Sequence, residues 1–216
     1  MAIRVPKKPA HAYQHGNLRH ALIQAGLRLL SEGGVANLSL RAAAQLAGVS
    51  HAAPYRHFAD KEALVAAIAE EGFALLTAAL QASTPPTPAA FAKRLAEMAV
   101  AYVNFALAHP AYLRVIFGGV VDKEHAPQSL RIAGETAYGV LRTLVADGVA
   151  AGAFRAGDVD EMALSCWSMV HGFGMLLSDR ALPPPLCEAV TAEAMTRSLV
   201  KHLLGGIESG APPTKS

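Results

Sequence analysis

Twelve residues, SHAAPYRHFADK from Ser50 to Lys61, hold seven polar or charged side chains. The Ser50 hydroxyl, the His51 and His57 imidazoles, the Tyr55 phenol and the Arg56 and Lys61 cations are nearly all hydrogen-bond donors, with Asp60 as the single acid. Such a cluster of polar groups is more than a generic helical hairpin needs. The other reactive groups point to no chemistry. His11, His15 and His20 crowd beside an expected tail with no acidic partner nearby. The sequence has no Gly-rich phosphate loop, nucleophile elbow or HExxH. Cys166 and Cys187 match no metal-ligand spacing and are too few for a disulfide framework. An enzyme, a cofactor and a metal site are therefore not expected.

The elements that must position these donors precede and follow them. Ser39 is a good N-cap, and Leu40, Ala43, Ala44 and Ala47 put small apolar groups on one helical face. Gly48 suits the positive φ of a sharp helix exit, with Val49 plugging the corner. Ser50 is then expected to cap a second helix through Phe58, exposing His51, Ala52, Tyr55 and Arg56. Asp60 would cap the next helix, where Glu62 suits the positive dipole end. Helix, tight turn, helix is a helix-turn-helix over residues 39–58. A plain helical corner of an all-α protein is the alternative.

The chain has 216 residues, 52% of them hydrophobic, and a positive mean hydropathy. Alanine and leucine dominate over β-branched residues, which favours an all-α fold. No apolar run is expected to reach the roughly 18–20 residues that span a bilayer, and MAIRVPKKPA has no signal-peptide core. A cytoplasmic protein without a membrane partner is the expectation. Net charge is +2, but residues 1–61 hold eight Lys/Arg against two Asp/Glu. The basic part coincides with the helix-turn-helix, as phosphate contact requires.

Punctuation divides the rest. Residues 1–14 read as a disordered basic arm, 15–82 as the helix-turn-helix domain, 88–205 as a second helical domain and 206–216 as a tail. Asn17 would cap a first helix ending at Gly33–Gly34, and STPPTP at 83–88 marks the boundary. Asp158 can cap a helix to Ser178. Its Met162, Cys166, Met169, Phe173 and Leu176 recur at spacings of four and three, a seam for another helix, while Ala163, Trp167, His171 and Met175 form a neighbouring face.

In order and spacing, LRHALIQAGLRLLSEGGVANLSLRAAAQLAGVS, YRHF and DKEAL make the segment from about Asn17 to Leu76 resemble the N-terminal DNA-binding domain of TetR-family transcriptional regulators. Trp167, His171 and Gly172 in CWSMVHGFG are similar to the Trp-His-Gly signature of one C-terminal subfamily. The resemblance implies that the second helix enters the major groove of double-stranded DNA. His51, Ala52 and Ala53 would approach base edges. Ser39, Arg41, Ser50, Tyr55, Arg56, His57 and Lys61 would hold phosphates or brace the helices. Pro54 departs from the family pattern; it is expected to give a distorted or 3₁₀ first turn and to push Ala53 away from α geometry. The resemblance further implies a homodimer built on the last two helices, here through Met162, Cys166, Met169, Phe173, Met195 and Leu199. It also implies a pocket for a small apolar effector, walled by Tyr102, Phe105, Phe117, Trp167 and His171. A homodimeric repressor on a near-palindromic operator is the reading; a helical small-molecule-binding module without specific DNA binding is the alternative.

Overall fold

The computed structural model describes residues 15–83, 90–122, 124–183 and 191–207. Among them are eight α-helices, one 3₁₀ turn and no β-strand: α1 His15–Asn37, α2 Leu40–Leu46, the 3₁₀ turn Pro54–Arg56, α3 Lys61–Ala82, α4 Phe91–Ala108, α5 Pro110–Phe117, α6 Gln128–Ala150, α7 Val159–Ser178 and α8 Ala192–Ile207. The all-α expectation holds. The expected arm, most of the STPPTP segment, Cys187 and the C-terminal tail lie outside the described residues.

Two compact units form, Met1–Ile68 and Ala69–Ser216. They divide inside α3 rather than at residues 83–88, because the two halves of that helix pack differently. In the first unit Leu64 and Ile68 close over Gly26, where an added Cβ would lie 2.9 Å from the Ile68 side chain. In the second, Gly72 lies against Ile116 and Tyr112, and the Phe73 and Phe117 rings meet edge-on at 6.0 Å. Proline-rich sequence shows where a helix stops, not where packing changes partners.

α3 also corrects the expectation about apolar runs, since it is long and apolar enough to cross a membrane by composition. Half of its most apolar stretch is buried in the fold. Mid-helix Glu70 accepts from the Ser129 hydroxyl at 2.5 Å, and Glu71 accepts from Tyr112. A core helix accounts for both features.

In the second unit α4 packs on α7 and α8, and α6 packs on α7. Gly174 lets α7 approach α4 closely, for a Cβ there would sit 3.2 Å from that of Ala106. Arg197 of α8 grips Glu97 of α4 with two hydrogen bonds of 2.8 and 3.1 Å. That guanidinium holds the Glu97 carboxyl below the usual carboxylate range. Asp158 caps α7 as expected, accepting from the Asp160 and Glu161 amides at 2.8 and 3.0 Å.

The tightest local geometry lies at the α2 exit. Gly48 has φ of +70°, its N–H reaches the Gln45 carbonyl at 3.2 Å, and the Val49 N–H reaches Ala44 at 3.0 Å. These two bonds make a Schellman ending, which needs the left-handed conformation at Gly48. Gly48→Ala should cost roughly 1–2 kcal/mol, the penalty of a Cβ in that conformation. Chemical denaturation measures the loss, and none is expected from Gly139→Ala beyond the ordinary range, since a Cβ there meets open space within a helix.

Candidate nucleic-acid interface and internal cavity

Alanine is what allows the helix-turn-helix to close. Ala43 and Ala44 are fully buried, so α2 seats against its neighbours with no side chain between. Ser39 caps α2, its Oγ accepting from the Ala42 N–H at 3.0 Å, which leaves the hydroxyl proton free to face outward. Arg41, one residue into the helix, is exposed.

After the corner the structure departs from expectation. Residues 50–58 form no α-helix; they make a turn and then the single 3₁₀ turn Pro54–Arg56. Pro54 brings no N–H, so the Ser50 carbonyl accepts from Ala53 at 3.0 Å instead of from the residue four along. Ser50 thus serves through its backbone, and the residue preceding the 3₁₀ turn is Ala53, without a side-chain cap. Ala53 keeps right-handed helical angles of −62° and −42°, contrary to the expected displacement by Pro54. Buried Pro54 and Phe58 anchor the segment, with the Arg19 guanidinium 5.6 Å from the Phe58 ring centre.

That anchoring throws the donors outward. Ser50, His51, Ala52, Tyr55 and Arg56 are exposed, and Ala53 and His57 half-buried; Tyr55 is 62% exposed, far more than a packing tyrosine would be. Asp60 caps α3, accepting from the Ala63 amide at 2.8 Å. Lys61 differs from its expected role in one respect. Its ammonium donates to the Val35 carbonyl at 2.6 Å, tying the start of α3 to the chain beyond the break in α1 at Gly34. Two of its three protons remain for another acceptor.

The second unit holds a partly open cavity of about 410 Å³, within the ~300–1,000 Å³ of small-molecule pockets. Tyr102, Phe117 and Trp167 line it as expected. Phe105 and His171 do not. Phe105 is buried beside His109, with ring centres 5.2 Å apart. His171 stands behind the wall, its Nδ1 2.7 Å from the Tyr102 hydroxyl and its ring 4.7 Å from Phe117. It orients two wall residues. Sequence reasoning missed Phe73, Met98, Glu135, Tyr138 and Leu141, which α3, α4 and α6 contribute. Nothing local in the sequence marks these residues as bordering a space.

α7 requires a correction. Met162, Cys166 and Phe173, expected at a dimer face, are 5%, 3% and 6% exposed within one chain. They belong to the protomer's own core, and Cys166 and Met169 line the cavity. Burial pushes the Cys166 thiol up to about 11, so it is no nucleophile. On α8, Met195 and Leu199 are half-buried.

Two family models match the chain: bacterial regulatory proteins of the tetR family over residues 22–68, and a tetracyclin repressor-like C-terminal domain over residues 95–200. The chain belongs to the TetR family. A Rhodococcus sp. RHA1 protein of unknown function is 32% identical with a TM-score of 0.79, over 93% of this chain and 100% of its own, so both units are shared. Another RHA1 structure, a bacterial regulatory protein in the tetR family, is 22% identical with a TM-score of 0.70, over 89% of this chain and 98% of its own. A putative tetR family transcription regulator from Shewanella sp. PV-4 has 20% identity and a TM-score of 0.69, over 89% and 98%. These last two show the fold alone. No curated protein matches the chain.

Burial depresses the affinity of His171 for a proton and raises that of Tyr102, with the Trp167 indole opposing the latter. The sign for His171 follows from proton counting. Between its lowered folded value and the ordinary ~6.5, the unfolded chain binds more protons. Its neutral form therefore contributes stability fully above that ordinary value and loses it as pH falls. The wild type should be more stable than His171→Gln at neutral pH, with the difference shrinking below pH ~6.5. Paired denaturation curves check it; a difference that is flat or grows on acidification would contradict it.

Proposed function

We propose that this TetR-family regulator is a homodimeric, sequence-specific DNA-binding repressor, acting in the cytoplasm, that a small effector in the 410 Å³ cavity releases from its operator. The observation that carries the DNA reading is the exposed row Ser50, His51, Tyr55 and Arg56, set by a Schellman corner and anchored by buried Pro54 and Phe58. His51 would hydrogen-bond a base edge, and Ala52 and Ala53 would meet thymine methyls. Ser39, Arg41, Tyr55, Arg56 and His57 would hold phosphates, with Lys61 shared between phosphate and Val35. The short 3₁₀ segment supports contact through few residues rather than along a long recognition helix. Trp167, His171 and Gly172, on one stretch of α7, support the Trp-His-Gly subfamily assignment.

Effector release requires the ligand to bind one state of the dimer better than the DNA-competent one. A mainly apolar cavity walled by Tyr102, Phe117 and Trp167 fits a small organic ligand. For the dimer, the supporting observation is a row on α7 four residues apart. Leu164 is 51% exposed and Leu176 44%, and exposed Ser168 and Gly172 stand between them. Small residues flanked by leucines suit close packing against a second helix, and half-buried Met195 and Leu199 of α8 can border it.

Two experiments test the reading. Leu176→Asp should leave the fold intact but yield monomers in sedimentation, whereas Phe173→Asp should unfold the chain by burying an unpaired charge. A dimeric Leu176→Asp protein would refute this face. In anisotropy titrations on an operator duplex, Arg56→Ala should weaken all sequences alike and lower the salt slope by about one. His51→Ala should instead change which sequences are preferred, by ~1–3 kcal/mol at the contacted base. Equal effects from both would place His51 on the backbone.

A further inference from the structure

The cavity wall carries one charge among the described residues, and it is negative. Glu135 of α6 lines the space and is also exposed, so it stands where the cavity meets water. Its carboxylate has no hydrogen bond or ion pair among the described residues. Arg131, one turn earlier on α6, borders the neighbouring groove beside Glu135 and keeps its charge, while its guanidinium bonds elsewhere. Arg131 donates to the Ala126 carbonyl at 3.3 Å, and Arg142 is paired with Asp160 at 2.6 Å. No lysine or arginine lines the cavity.

Aromatic rings continue inward from this carboxylate. Tyr138 is one turn along α6 from Glu135. Its ring centre lies 5.9 Å from Trp167, which is 5.8 Å from Phe117, which is 6.0 Å from Phe73. All four rings line the cavity. Ring faces carry negative potential and attract cations, most strongly where water is excluded. A carboxylate at the rim and linked rings behind it give a negative potential along the cavity wall, with Arg131 outside that wall in the neighbouring groove.

We propose that the cavity takes a lipophilic organic cation, its apolar body among Phe117, Trp167 and Leu141 and its positive charge held between Glu135 and the Tyr138 and Trp167 rings. This rests on the reading of the cavity as the effector site. A carboxylate-bearing ligand would meet Glu135 with no lysine or arginine among the cavity's described lining residues to offset it. A neutral ligand would fill the same space but draw nothing from the carboxylate.

Trp167 is the single tryptophan of the chain, so its fluorescence reports on the cavity wall in the intact protein. The probes are a phenylalkyl trimethylammonium ion, its uncharged isostere with carbon in place of nitrogen, and a phenylalkanoate of matching length. The cation should bind about tenfold more tightly than the isostere, with an advantage that declines as salt rises. Glu135→Gln, an exposed change on a helix surface, should remove most of that advantage while leaving the isostere's affinity unchanged. If the isostere perturbs Trp167 but the cation binds no better, or if Glu135→Gln weakens neither, the cation assignment is wrong and the effector cavity stands. If the phenylalkanoate binds best, the sign of the site is wrong. If none of the three perturbs Trp167, the cavity reading fails and the cation assignment with it.

Discussion

The constraint on which the rest depends is that α3 must belong to two cores. Leu64, Ile68, Gly72, Leu76 and Leu80 stand four residues apart along it, all buried. At 3.6 residues per turn such a row advances about 40° per step, so the apolar stripe winds around the helix instead of running straight down it. Leu64 and Ile68 can thus complete the first unit, and Leu76 and Leu80 line the cavity in the second. Gly72 marks the change, since a Cβ there would lie 2.8 Å from Ile116. The residue that opens this helix, Lys61, begins it beside the proposed DNA contacts. One continuous helix therefore carries residues of both proposed sites.

Much of this could be read from residue types whose physics is local. Ser39, Asp60 and Asp158 cap helices because a short side-chain acceptor meets unpaired amides. Gly48 ends α2 because an L side chain resists φ of +70°. Pro54 gives the 3₁₀ turn expected of it, but without displacing Ala53 from helical geometry. As the first residue of a 3₁₀ turn it needs no N–H, and Ala53 before it stays helical.

What the sequence hid depends on partners distant along the chain. Periodicity on α7 separates two apolar faces but cannot say which one the protomer covers itself. Met162, Cys166 and Phe173 turned inward against α4 and its neighbours, leaving the sparser row of Leu164, Ser168, Gly172 and Leu176 outside. His171 and Phe105 were expected in the cavity because aromatic residues at helical spacing look alike whether they line a space or support its wall. Glu135 gave the opposite problem, for an exposed acid on a helix carries no signal until the cavity beside it is seen.

The central claim is that the exposed row after the Schellman corner reads DNA sequence. Selection of bound duplexes from randomised DNA at fixed salt tests it most directly. The account predicts two inverted half-sites with centres ~34–36 Å apart or at a multiple of that spacing, as two-fold symmetry requires. Enrichment of no motif, or of one asymmetric half-site, would contradict it.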